Sequence, residues 1–209
     1  MIFLFKKLLI IIILITTSKI TLSHEFWIDP VNFYIKDNEI LKANIIIGEN
    51  YKGSKIAFSK KDFKNLKLHS KNDSLKIKGR LGDIPAINIK KPFTGLNIIQ
   101  IESEMNYVDY EGLLKFEVFS RKKGYRDLIK IHKDKNYPEN FVESYKRYAK
   151  SLVSVDTFDG NDVDTNMELE FIFLDNPIKN LDKPKRILLE YQNKILTNHQ
   201  VSIMSLKDN

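Results

Sequence analysis

From His24 to about residue 103, apolar residues come in short runs punctuated by turn residues. Residues 24–36 carry Phe26, Ile28, Phe33, Tyr34 and Ile35, broken by Asp29-Pro30. Proline inside an extended pattern marks an edge, a turn or a strand end. LKANIIIG (41–48) reads as a strand closed by Gly48. LKLHS (66–70) sets Leu66 and Leu68 on one face and Lys67 and His69 on the other, the two-residue period of a half-buried strand. SLKIKG (74–79) repeats the pattern with Leu75 and Ile77, and INIK (87–90) and LNIIQIE (96–102) follow. Turn residues separate these runs at 71–73, at Gly82-Asp83 with Pro85, and at 92–95. Short strands at this spacing predict an antiparallel β-sandwich.

The rhythm then lengthens. In EGLLKFEVFSRKKG (111–124), Leu113, Phe116 and Phe119 recur at helical spacing. Glu111 precedes them, Arg121-Lys122-Lys123 fill the last turn, and Gly124 follows as a stop, a charge order that favours a helix. A second short helix is expected over Arg126–His132. PENFVESYKRYAKSLVSV (138–155) reads as the clearest helix, with Pro138 in the first position and Phe141, Tyr145, Tyr148, Ala149 and Leu152 as its apolar stripe. DTFDGNDVD (156–164) lacks the carboxylate spacing of a calcium loop and reads as a solvated connector. MELEFIFL (167–174), KRILLEY (185–191) and HQVSIMSL (199–206) read as three further strands, too few to cover both faces of a sandwich. The chain is thus mainly β. Residues 24–165 form a sandwich domain with helices near 111–155, and 166–209 form a partial C-terminal β-domain.

Residues 1–23 stand outside this plan. A short basic region is followed by an apolar run of eight residues, Leu8–Ile15, and then by small polar residues. This order describes a signal peptide. The run falls well short of the roughly 20 residues of a membrane span. Cleavage after Ser23, with Thr21 at the third position back, leaves His24 as the amino terminus; a cut after Ser18 satisfies the same small-residue rule. An exported, periplasmic protein is expected. The chain has no cysteine, so it has no disulfide and no thiolate chemistry. Its net charge of +7 includes Lys6, Lys7 and Lys19 of the leader. Basic residues are not interleaved with stacking aromatics, so nucleic-acid binding has no support. No phosphate loop, G-x-S-x-G or H-E-x-x-H motif is present, and a non-enzyme is expected.

HEFWIDP (24–30), with Ser23 where alanine is usual, resembles the mature start of a bacterial family of exported β-rich proteins, largely of unknown function. That family is grouped with the periplasmic component of ABC-type cobalt/nickel uptake systems. GRLGDIPA (79–86), YEGLLKFEVFSRKKG (110–124), YKRYAKSLVSV (145–155) and MELEFIFLDNP (167–177) are similar to its other landmarks. The resemblance covers His24 to about Ser205. It implies that 166–209 begins an incomplete second domain of immunoglobulin or transthyretin type. It also implies a nickel or cobalt cofactor and, as partner, an ABC-type or energy-coupled metal transporter in the inner membrane.

The residue-level reading converges on His24. As an amino terminus it offers its α-amine and its imidazole Nδ1, which together close a chelate ring on a divalent metal. The amine must lose its proton to bind, so affinity falls as pH drops. Strand alternation places His24, Phe26 and Ile28 on one face. Further ligands would come from His69, His132 or His199, though His69 shares a polar face with Lys67 and reads as exposed. Three functions compete. The first is an extracytoplasmic divalent-metal-binding accessory protein. The second is a non-catalytic β-sandwich interaction module without metal, with Tyr107 and Tyr110 as candidate patch residues. The third is a copper-dependent oxidase, which would need a second histidine beside the first.

Overall fold

The computed structural model describes residues 24–179 and 181–206. The expected signal peptide, 1–23, and both of its cleavage positions lie outside the described residues. Two compact units emerge: a small one of Val108–Glu143, to which His24 is also assigned, and a large one of Glu25–Tyr107 with Ser144–Asn209.

The large unit is built mainly of antiparallel β-sheet. In its first sheet β3 (Leu41–Glu49) is central. One edge pairs with β1 (Glu25–Pro30), and the other is shared by β4 (Lys52–Ile56) and β7 (Ile87–Ile89). β3 and β4 turn at Asn50 and Tyr51, both in the left-handed region (φ 52° and 60°), the geometry that matches the twist of a tight hairpin. The second sheet runs in the order β2 (Tyr34–Ile35), β11 (Tyr148–Val155), β8 (Gly95–Ser103), β5 (Phe63–His69) and β6 (Ser74–Lys76). Only β2 and β11 run parallel.

One hydrophobic cluster draws on both sheets. Leu41, Ala43 and Ile45 of β3 meet Leu66 and Leu68 of β5, Ile99 and Ile101 of β8, and Val153 and Val155 of β11. Each such leucine, isoleucine or valine contributes roughly 1.5–3 kcal/mol by leaving water. The alternation in LKLHS is explained directly, because Leu66 and Leu68 are its buried face. β8 is buried along its whole length. Its other face adds Leu96 and Ile98, with Leu152 of β11, to a second cluster flanked by Val163, Phe173 and Ile178. A strand covered on both faces reads as a nearly continuous apolar run, which is what LNIIQIE is.

A separate sheet of three antiparallel strands follows: β12 (Leu169–Phe173), β13 (Ile187–Tyr191) and β14 (Lys194–Ile195). Residues 199–206, expected to be a strand, are not one: they run without a ladder partner.

In the small unit, α1 (Leu113–Lys122) begins after Gly112 (φ 85°) and ends before Gly124 (φ 79°), both conformations that favour glycine. α2 (Leu128–Asp134) covers the second expected helix. β9 (Asn106–Tyr110) and β10 (Phe141–Tyr145) pair where the chain enters and leaves.

The helix expected over 138–155 is a correction. That segment is β10 and β11, joined at Lys146-Arg147. Its aromatic stripe also fits a two-residue period, with Phe141, Glu143 and Tyr145 half-buried and Val142 and Ser144 exposed. Pairing of Tyr148–Ser154 with Leu96–Glu102, and the complete burial of Val153 and Val155, select the strand. Local spacing is a weak prior that tertiary pairing overrides.

Candidate functional site

The four histidines are dispersed. His24 is exposed immediately ahead of β1. His69, expected to be exposed, is half-buried instead, with Nε2 2.6 Å from the Oε1 of buried Gln100. His132 is buried in the small unit, with Nε2 2.8 Å from the Pro138 carbonyl. His199 is exposed, with Nδ1 2.9 Å from the Thr197 carbonyl. A carbonyl oxygen only accepts, so each of these last three rings commits one nitrogen as a donor. Among the described residues no group of three or more His, Cys, Asp or Glu converges in a way that could hold a metal ion. A nickel or cobalt ion would therefore find no assembled donor set there. The α-amine that would complete a chelate at His24 depends on residue 23, outside the described residues.

What the large unit does assemble is an apolar groove of about 350 Å³. Leu152 of β11 and Leu169, Phe171 and Phe173 of β12 line it, together with Val201 and Ile203 of the C-terminal segment. Alternation along β12 sends Leu169, Phe171 and Phe173 to this face, while Glu170 and Ile172 are buried. Leu169, Phe171, Val201 and Ile203 remain exposed. The C-terminal segment is held at one point by the Tyr51 hydroxyl, which donates to the Met204 carbonyl at 2.7 Å.

Beneath the groove lies a buried charge cluster. Lys150 Nζ sits 2.5 Å from Glu170 Oε1 and 2.7 Å from Asp162 Oδ1, and also donates to the carbonyls of Val163 (2.9 Å) and Phe171 (3.2 Å). The carboxylates are satisfied from other sides as well. Glu170 accepts from the Thr165 backbone N–H and hydroxyl and from the Met167 N–H, while Asp162 accepts from the Phe173 N–H at 2.9 Å. Lys150 and Asp162 thereby occupy a carbonyl and an N–H on the free edge of β12, a side-chain substitute for another strand. The connector 156–164 is thus not merely solvated, because Asp162 is buried. Asp162 and Glu170 were not singled out from the sequence. The available signal was an acid at an inward position of MELEFIFL, in register with buried Ile172.

Tyr148, which lines the groove, belongs to a polar cluster. The Tyr148 hydroxyl donates to Glu168 Oε2 at 2.7 Å, and Lys146 Nζ (3.0 Å) and Gln192 Nε2 (3.1 Å) also reach that carboxylate. These donors, Tyr148 first, pull the Glu168 carboxyl down to about 2. Burial, reinforced by the neighbouring carboxylate, pushes the Tyr148 phenol well above its ordinary range, so it remains a protonated donor. Of the two tyrosines expected in a surface patch, Tyr107 is exposed but Tyr110 is buried, stacked on Phe141 at 4.9 Å.

Residues 21–208 match the model of a domain of unknown function, DUF4198. The chain belongs to the DUF4198 family. No curated protein and no solved structure matches it significantly. The DUF4198 match spans both sandwich sheets, the helices and the grooved C-terminal sheet.

Proposed function

We propose that this DUF4198 protein is a non-catalytic, exported binding module that recognises another polypeptide of the cell envelope through its C-terminal sheet. The observation that carries this reading is the segment 199–206. It has no ladder partner among the described residues, sets apolar Val201 and Ile203 on either side of Ser202, and lines a groove whose Leu169 and Phe171 are also exposed. A segment outside any ladder leaves N–H and C=O groups that a strand of another chain can satisfy. Pockets for alternate side chains then supply specificity. The partner is a chain that donates an extended segment with apolar side chains on one face. A photo-crosslinking residue at Ile203 should trap one discrete protein adduct in cells, and the same residue at exposed Leu81 should not. Identical adducts from both positions, or none from 203, would remove this reading.

A second reading, divalent-metal handling alongside a nickel/cobalt transporter, rests on His24, which is exposed and open to an ion. If processing follows Ser23, calorimetric titration with nickel should show one site, weakened at least tenfold by an alanine inserted ahead of His24. Equal affinities would eliminate the chelate.

A further inference from the structure

The small unit carries a feature that neither the groove nor His24 uses. Phe116, Phe141 and His132 pack ring against ring, at 5.1 Å for the phenylalanines and 4.7 Å for His132 on Phe141. They line a cavity of about 600 Å³ within this unit. The volume lies within the range of small-molecule pockets, roughly 300–1,000 Å³. The cavity is bordered by apolar side chains that remain exposed: Tyr125, Ile131, Tyr137 and Val142. An aromatic-lined opening with an uncovered apolar rim is an unfinished surface.

Charge identifies what would finish it. Residues 121–137 contain seven lysines and arginines against two aspartates, a net of +5. Residues 24–209 hold 31 basic and 27 acidic residues, a net of only +4. The remainder of that chain is therefore close to neutral, and its positive charge is concentrated in one stretch of the small unit. Arg121 pairs with Glu117 and Lys130 with Asp134 on their own helices. Lys123, Arg126, Lys133 and Lys135 are exposed and lie within four residues, in sequence, of the rim residues Tyr125, Ile131 or Tyr137. Amphipathic tyrosines beside apolar and basic side chains form the pattern that seats a surface helix in a lipid headgroup layer. Basic clusters add attraction to anionic headgroups that fades within a Debye length.

We propose that residues 121–142 dock this protein peripherally on an anionic phospholipid surface, with the rim of Tyr125, Ile131, Tyr137 and Val142 entering the headgroup layer. No helix among the described residues is long and apolar enough to cross a membrane, and the contact proposed is a superficial one.

The test uses the protein as recovered from cells, its amino terminus fixed by intact mass, because an uncut leader would bind lipid by itself. Co-sedimentation with phosphatidylcholine vesicles containing phosphatidylglycerol should be strong at low salt and weaken steeply as salt rises. Phosphatidylcholine vesicles alone should bind at least tenfold less. Replacing Lys123, Arg126, Lys133 and Lys135 by Gln should lower binding at least tenfold with an unchanged circular dichroism spectrum. In a Trp27→Phe background, Ile131→Trp should shift its emission to the blue when the anionic vesicles are added. Equal binding to both vesicle types, or undiminished binding by the Gln variant, would overturn the proposal. Binding with no emission shift would overturn the insertion of the rim.

Discussion

Replacing Lys150 by methionine keeps the length of the side chain and deletes its charge. Two carboxylates would then lose their cation where water does not reach: the Asp162 and Glu170 side chains are 0% and 1% exposed, and that of Lys150 is 10% exposed. At 2.5–2.7 Å and an effective dielectric of about 20, each contact amounts to a gross attraction of roughly 6 kcal/mol. Desolvation offsets most of it, so the intact cluster adds little over an apolar replacement of all its members. Removing one partner is different, because the desolvation cost remains without the attraction. Breaking a buried pair this way costs about 3–5 kcal/mol. Phe171 would also lose a side-chain donor to its carbonyl. Urea unfolding followed by circular dichroism at neutral pH should show that loss, and the thermal midpoint should fall by on the order of 10 °C. Adding Asp162→Asn and Glu170→Gln to Lys150→Met should recover at least half of it, since neutral amides are far cheaper to bury than charges. A loss below about 1 kcal/mol for Lys150→Met alone would mean the cluster behaves like a surface pair, and the reasoning would fail.

Two further outcomes follow from local geometry. Because the Glu168 carboxyl is held at about 2, below its ordinary 4.5, it contributes stability that is fully present above pH 4.5 and is lost as pH falls toward 2. Glu168→Gln should flatten that acid limb in a pH series of unfolding midpoints; an unchanged limb would show that Tyr148 and Lys146 do not hold the charge in solution. Asn97 is fully buried, accepts from the Phe93 N–H (3.0 Å) and donates to the carbonyls of Phe93 (2.6 Å) and Gly95 (2.9 Å). Asn97→Ala strands these groups and should cost about 1–3 kcal/mol in denaturant unfolding; a neutral result would mean that water replaces the amide.

The candidate surfaces were less visible in the sequence than the strands. Phe116 and Phe119 marked a helix correctly, yet nothing in their spacing reveals that Phe116 packs against His132 in the lining of a cavity. His24 is legible in the sequence because its chemistry belongs to one residue. Lys150, Asp162 and Glu170 are not, because each is an ordinary charged residue until folding removes the water around all three.

Patterning alone established a mainly β protein, the inward face of β5, and the α1 helix stopped before Gly124. These features depend on residues close in sequence, where the two-residue and 3.6-residue periods are distinct. Tertiary structure decided that 141–145 and 148–155 are strands, that 199–206 has no partner, and that a lysine stands in for a missing strand at the edge of β12. The reason is physical. A strand's hydrogen bonds are completed by a chain distant in sequence, and β11 is a strand because β8 is there to pair with it.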